Sequence, residues 1–302
     1  MFLLIPGSLI IGFLFSSVLR PMVDAVPYLF AYVTLTMAIG CGLGQLREVL
    51  RRPVIIGWTF VLTHIAAPLI AYGIGAALFG PHSPYVVGLV LFAIIPLGVS
   101  SVLWVGMSGG SIALMLALVV IDSAISPIVV PSGIKLMFGA VVDIDAGGMI
   151  RDLVLIIVAP TIIGVMLYEL SKGHIQRKVQ HIASPISKLC FVAVVALNAA
   201  AIAPYVEQLK SDMIRLVPVS ILLVAICYAL GYFGSLPFRS RELLVTVSYA
   251  SGMRNISLGI VLAMGYFDPL SAVPVVLSIL IQQPMATLHH YLLPRKKLQA
   301  AE

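Results

Sequence analysis

Almost the whole chain is divided into apolar stretches about as long as a bilayer is thick. Ten of them occupy roughly 1–20, 27–46, 54–78, 84–107, 111–137, 149–170, 185–206, 214–236, 242–264 and 270–292. Crossing the hydrocarbon core takes about 20 apolar residues of helix. A crossing segment must also satisfy its own backbone, which leaves helices or closed barrels as the folds available. Segments of this length read as helices. Only 10% of the 302 residues are charged and 61% are hydrophobic, whereas a soluble domain carries about 25% charged residues. The expected fold class is therefore an all-α membrane protein of ten spans, with no soluble domain of any size.

The first stretch has no basic segment ahead of its apolar run, so it is expected to be a retained helix and not a cleaved signal. The three cysteines, Cys41, Cys190 and Cys227, fall within expected spans without metal-ligand spacing and read as small buried apolar residues. Enzyme patterns are missing as well. Ser108-Gly109-Gly110-Ser111 has no strand around it to form a nucleophile elbow. No pair of histidines with a carboxylate has metal spacing inside a span. No cofactor is expected.

The net charge of +6 does not point to nucleic acid, because of where the basic residues fall. On a ten-span layout both termini share one face with Arg47, Arg51, Arg52, Lys172, Arg177, Lys178, Lys188, Arg239, Arg241, Arg295, Lys296 and Lys297. Arg20, Lys135, Arg151, Lys210 and Arg215 fall on the other face. Positive-inside bias then places both termini in the cytoplasm of a plasma (inner) membrane protein, with anionic lipid as a further partner of the basic face.

One basic residue escapes this sorting. Arg254 stands in the middle of the ninth stretch, within Ser251-Gly252-Met253-Arg254-Asn255. A cation at the bilayer centre costs about 2.5–3.5 kcal/mol on insertion scales and marks function by default. The deep carboxylate available to answer it is Asp122, at the midpoint of the fifth stretch.

The most polar central connection, 141–148, leaves five stretches on either side, 1–140 and 149–302. An odd number per half makes the second half enter the membrane from the opposite side, the inverted-repeat arrangement of many secondary transporters. Each half also carries a matching interruption. Ile95-Pro96-Leu97-Gly98-Val99-Ser100-Ser101 breaks the fourth stretch, and Ala250-Ser251-Gly252-Met253-Arg254-Asn255 breaks the ninth. An X-Pro follows in the next stretch of each half, at Ser126-Pro127 and Gln283-Pro284. Paired Gly and Pro interruptions point to a binding site near the bilayer midplane.

These two broken segments resemble the bile acid:sodium symporter family of ten-helix secondary transporters. That family carries a Pro-Gly-Gly-Thr-Ala-Ser-Asn-like stretch where this chain has Pro96 to Val102. It carries Glu-x-Gly-x-Gln-Asn where this chain has Ala250 to Asn255. The resemblance implies a panel domain (helices 1, 2, 6 and 7) and a core domain (helices 3–5 and 8–10). It also implies that helices 4 and 9 cross in the core, with an organic anion beside the crossing and sodium behind it. The departures are concentrated at the sodium positions. Ala250 replaces the family glutamate, Arg254 the glutamine and Val102 an asparagine, while Met115 and Val119 replace hydroxyl residues. Thr63 stands in for an amide residue five positions before Pro68. Hard cations want oxygen ligands, preferably anionic, so sodium is disfavoured.

The expectation is that Arg254 acts as a tethered cation paired with Asp122, a fork-shaped group on a carboxylate. Proton coupling through Asp122 stays open, as does a purely structural ion pair. His64 reads either as a titrating group or as a hydrogen-bonded packing residue. Gly98, Ser100, Ser101, Ser123, Ser251, Met253, Asn255 and Ser257 are candidate lining groups, with Asn198, Gln282 and Gln283 as similar candidates. His289 and His290 read as an interfacial anchor. The expected function is transport of a small or amphipathic organic anion. A sodium symporter with rearranged ion sites and a non-transporting membrane sensor are the alternatives.

Overall fold

A computed structural model describes residues 4–139, 145–205 and 212–294. Part of the 141–148 connection lies outside these residues, as do Lys210, Arg295, Lys296 and Lys297. The described chain is helical throughout. Its helices are α1 (Leu4–Leu14), α2 (Ser16–Ala38), α3 (Leu43–Leu50), α4 (Pro53–Phe79), α5 (Pro84–Ile94), α6 (Ser101–Ser108) and α7 (Ile112–Phe138). They continue as α8 (Ala146–Leu170), α9 (His174–Ile202), α10 (Met213–Phe238), α11 (Arg241–Gly252), α12 (Ile256–Tyr266) and α13 (Pro269–Leu292). Among the described residues, seven are long and apolar enough to cross a membrane: α2, α4, α7, α8, α9, α10 and α13.

The fourth and ninth stretches form two broken pairs, α5 with α6 and α11 with α12, each interrupted where the sequence places its Gly and Pro. The first two stretches meet differently from expectation. The chain bends at Phe15 (φ −105°, ψ 25°) and then runs on through a tight 3₁₀ turn, Arg20–Ala25, into Val26–Ala38. Pro21 sits in the first turn of that segment, where a missing N–H costs nothing, so the chain tightens instead of breaking.

Two packed groups result. α1 and α2 lie against α9, and the second half of α8 lies against α2. In the other group α10 packs on α11 and α13, α4 on α5, and α5 on α7 and α13. Two of the short broken helices, α5 and α11, are strongly enclosed. Every residue of α5 from Tyr85 to Ile94 is buried, as is every residue of α11 from Leu244 to Gly252. The long helices instead show apolar faces outward, at Leu69, Ile128, Leu136, Ile163, Leu222 and Leu288. Lipid makes such exposure free of cost, so the helices associate through close packing at small residues. A Cβ on Gly231 of α10 would stand 2.6 Å from the Ser248 Cα and from the Val247 carbonyl of α11.

Interior prolines are accommodated locally. Pro127 in α7 withholds the donor that Ser123 C=O would receive. The Ser126 hydroxyl, one residue earlier, donates to that carbonyl instead at 2.8 Å.

The α10–α11 contact makes a test. Gly231→Ala is expected to destabilise the protein by about 1–3 kcal/mol through overpacking. Gly57→Ala in α4, where a Cβ meets nothing within 4 Å, should be neutral or gain up to about 1 kcal/mol of helix propensity. Thermal melts in detergent compare them, and equal midpoints would contradict the packing described.

Candidate functional site

The site is built where the two broken helices cross. Ile95 leaves the helix of α5 with ψ 154° because the following Pro96 disfavours the helical region at its predecessor. Met253 leaves α11 with extended backbone, φ −112° and ψ 115°. The two unwound strands pair antiparallel at Leu97 and Arg254. Gly98 N–H donates to Met253 C=O at 2.9 Å, and Asn255 N–H donates to Pro96 C=O at 2.8 Å. Gly98 is required here by space. A Cβ on it would stand 2.6 Å from the Arg254 carbonyl oxygen.

This bridge leaves the outward backbone groups of Leu97 and Arg254 without strand partners, and side chains supply them. Asp122 Oδ2 accepts from Leu97 N–H at 2.7 Å. The Gln282 carboxamide clasps Arg254 from the other edge, accepting from its N–H at 2.7 Å and donating to its C=O at 3.2 Å. The carboxamide of Gln282 thus serves the backbone of the break. Asn255 caps α12 through Leu258 N–H (3.5 Å), and the Ser101 hydroxyl donates to Gly98 C=O at 2.5 Å. Ser100 accepts from Gln283, whose oxygen accepts from the Trp104 indole.

The guanidinium of Arg254 is 1% exposed. Its Nη2 donates to Thr63 C=O at 2.9 Å and its Nη1 to Ile95 C=O at 3.4 Å, while Nε has no hydrogen-bond partner. The Cys227 thiol of α10 lies beside it. The sequence explains why those carbonyls are free. Leu62–Ala66 forms a π turn, so Ala67 N–H bonds back to Leu62 C=O. The residue that would serve Thr63 C=O in a π pattern is Pro68, which has no N–H. Thr63 C=O is therefore orphaned within α4 and takes Arg254. The carbonyl of Ile95, at the end of a broken helix, is orphaned in the same way.

Asp122 is not the direct partner of Arg254. Its Oδ1 lies 2.5 Å from His64 Nε2, and its other oxygen is taken by Leu97 N–H. His64 Nδ1 lies 3.1 Å from Ile94 C=O. The expected contact pair is replaced by two adjacent arrangements, a guanidinium on carbonyls and a carboxylate between imidazole and backbone N–H. Asp122 stays within coulombic reach of Arg254. Among the described residues these are the one buried carboxylate and the one buried Arg or Lys.

The other side of the crossing borders a small cavity of about 30 Å³, between α2, α7, α8 and the break. Ser123, Asn255, Thr34 and Thr161 bring polar groups to it, with Val99 and Val119 among the apolar walls. The fold thus brings together Gly98, Ser100, Ser101, Met253, Arg254, Asn255, Thr63, His64, Asp122 and Ser123. Ser251 and Ser257 are buried with no hydrogen-bond partner for their hydroxyls, and Ser251 packs beside Gly231. The Nδ2 of Asn198 is likewise unpartnered. Ala250 and Met115 are fully buried and Val102 half-buried. His289 and His290 are not interfacial anchors. They turn inward to the Ser248 hydroxyl (2.9 Å) and the Ser108 hydroxyl (2.7 Å). Thr34, Thr161 and the Thr63 carbonyl were not singled out from the sequence. The distance of five residues from Thr63 to Pro68 is the signal that could have exposed the last.

The family model described as "Sodium Bile acid symporter family" matches residues 26–209. The chain belongs to that family. It is 36% identical to the uncharacterized protein YbaS of Bacillus subtilis (strain 168), over 98% of this chain and 97% of that one. It is 25% identical to the uncharacterized sodium-dependent transporter YocS of the same organism, over 88% and 81% of the two chains. It is 28% identical to a probable chloroplastic sodium/metabolite cotransporter, BASS2, of Oryza sativa subsp. japonica, over 82% of this chain and 58% of that one. The protein is a multi-pass membrane transporter.

The orphaned carbonyl makes a prediction whose sign is opposite to helix propensity. Removing a proline from a helix normally stabilises it. Pro68→Ala should instead lower thermal stability, because a new N–H competes for the carbonyl that holds Arg254. A hydrogen bond to a charged group is worth about 1.5–3 kcal/mol. Pro160→Ala, after the π turn Val154–Val158 of α8, is the matched control and should not be destabilising. A Pro68→Ala variant with a higher melting midpoint than the parent would refute the explanation.

Proposed function

We propose that the protein is a secondary active transporter of a small or amphipathic organic anion that works by alternating access without sodium. The observation that carries this reading is the seating of Arg254. Its guanidinium occupies the carbonyl oxygens of Thr63 and Ile95 behind the crossing, the kind of oxygens a hard cation would need. A permanent positive charge there both repels an ion and organises the break in its place.

The architecture of the reading is ten spans, made by adding α1 and the two broken pairs to the seven long helices. They form inverted five-helix repeats, 1–140 and 149–302. α1, α2, α8 and α9 make the panel, and the other spans make the core. The antiparallel meeting of the two breaks at Leu97 and Arg254 is what a twofold relation between the halves would produce. The cavity between the groups has room for about one water, so admitting a substrate requires α2 and α8 to move away from the crossing. Anion preference follows from the start of α12 at Asn255, which lines that cavity. Helix N-termini carry partial positive charge, and Arg254 lies immediately behind. The distribution of basic residues supports both termini on the cytoplasmic side of a plasma (inner) membrane.

Sodium-coupled symport is the second reading, favoured by the names of two relatives. Uptake of pantoate and taurocholate into proteoliposomes, with sodium against choline outside, separates the two. Uptake is expected to persist in choline with no more than about a twofold change in rate, since each 1.4 kcal/mol of lost ion linkage would cost tenfold. A strict sodium requirement would sink the proposal.

A further inference from the structure

We infer that His64 and Asp122 together form a proton site, and that the coupling ion of this transporter is a proton carried with the anion in a one-to-one, electroneutral symport. This rests on the transport reading above and extends it to the ion.

The geometry fixes most of the protons. Ile94 C=O can only accept, so the 3.1 Å contact with His64 Nδ1 places a hydrogen on Nδ1. Leu97 N–H can only donate, so Asp122 Oδ2 is an acceptor. What remains is Nε2 facing Oδ1 at 2.5 Å. With Nδ1 already protonated, that contact holds together only if one proton lies in it. It is either on Nε2 as an imidazolium–carboxylate pair or on Oδ1 as a neutral pair, and the proton belongs to both groups jointly. Without it, the one ring hydrogen left can serve only one of the two acceptors, so a nitrogen lone pair faces either the Asp122 carboxylate or, in the other tautomer, the Ile94 carbonyl. Proton release is therefore tied to loosening His64 of α4 from α7 or from the end of α5.

Charge accounting then gives the stoichiometry. The charged group within coulombic reach of the pair is Arg254 from the α11–α12 break, with the Cys227 thiol of α10 beside that guanidinium; the end of α5 presents the carbonyls of Ile94 and Ile95. Arg254 does not deprotonate. With the shared proton bound, the His64–Asp122 pair is neutral and the buried centre carries the single positive charge of Arg254. With the proton gone, the pair carries one negative charge and the centre is neutral. An anion in the cavity lined by Asn255 and Ser123, the sequence neighbours of Arg254 and Asp122, cancels the positive centre only when the proton is present. Two states bury no net charge: proton and monoanion both bound, or both absent. The half-loaded states bury one unpaired charge, which low-dielectric surroundings penalise heavily. A carrier that can rearrange only when fully loaded or fully empty is an obligate symporter.

Two measurements on the full-length protein in lipid test this. The first needs no substrate. Protein reconstituted in lipid is titrated between about pH 5 and pH 9, a window that brackets histidine chemistry, and proton uptake is followed by infrared difference spectra of carboxyl and imidazole bands. One uptake event of about one proton is expected, lost in His64→Gln and equally lost in Asp122→Asn. Asp122→Glu, which keeps the carboxylate, should retain it; if Asp122→Asn does not fold, loss in His64→Gln together with a displaced carboxyl band in Asp122→Glu is the expected result, and an unchanged carboxyl band overturns the site. An uptake that survives either deletion, or no uptake event shared by the two residues, overturns the proton site. The second uses proteoliposomes filled with pyranine and given inward gradients of pantoate, pyruvate or taurocholate in choline medium. Anion entry should acidify the lumen, be indifferent to valinomycin-clamped voltage, and lose its acidification in His64→Gln. Anion entry without acidification overturns the coupling and leaves the transport reading standing. If none of the three anions enters, that reading fails for them, and the titration decides the proton site alone.

Discussion

Two lengths of unwound backbone paired with each other, deep among apolar helices, are what the rest of the structure is arranged around. Each unsatisfied N–H or C=O at such depth costs several kcal/mol. The crossing answers this with two strand hydrogen bonds, at Gly98 and Asn255. The groups facing outward from the pair then fall to Asp122 and Gln282. Polar side chains from α7 and α13 are thereby fixed by backbone demand before any solute is considered. Gly98 makes the approach possible because any side chain there would strike the facing carbonyl.

Arg254 is tolerated for a related reason. Its charge is answered first by backbone dipoles, the carbonyls that Pro68 and the end of α5 leave without helical donors. Asp122 contributes from farther off, with its own oxygens committed to His64 and Leu97. A buried direct pair often gains little over apolar packing. Spreading the compensation over carbonyls keeps the cation in place while leaving the carboxylate free to share a proton with imidazole.

The seven long apolar helices were legible from apolar length, and both breaks were legible because Gly and Pro cannot continue a helix unnoticed. The identity of the buried charges was legible too. Their partners were not, because sequence gives a residue's depth in the membrane but not the direction it faces around the helix axis. Asp122 and Arg254 share a depth, which suggested contact, yet His64 on α4 reaches the carboxylate. The π turn in α4 adds to this difficulty, since one extra residue rotates everything beyond it by about 100°. His289 and His290 misled in the opposite way. Their nearness to Arg295 and Lys296 suggested the interface, while hydroxyls on α6 and α11 draw them inward. The first two stretches ran together because Pro21 at a helix start does not interrupt the chain.

Successive residues of an extended strand point to opposite sides. At the crossing this separates Arg254, on the charged cluster, from Asn255, on the cavity, and α7 separates Asp122 from Ser123 in a similar way. The paired strands are a partition one residue thick. On the transport reading proposed above, inherited variation on one side can retune what fills the cavity, and variation on the other can exchange one ion chemistry for another. A lineage could then change its cargo and its energy source by separate steps, because the wall between them is made of backbone.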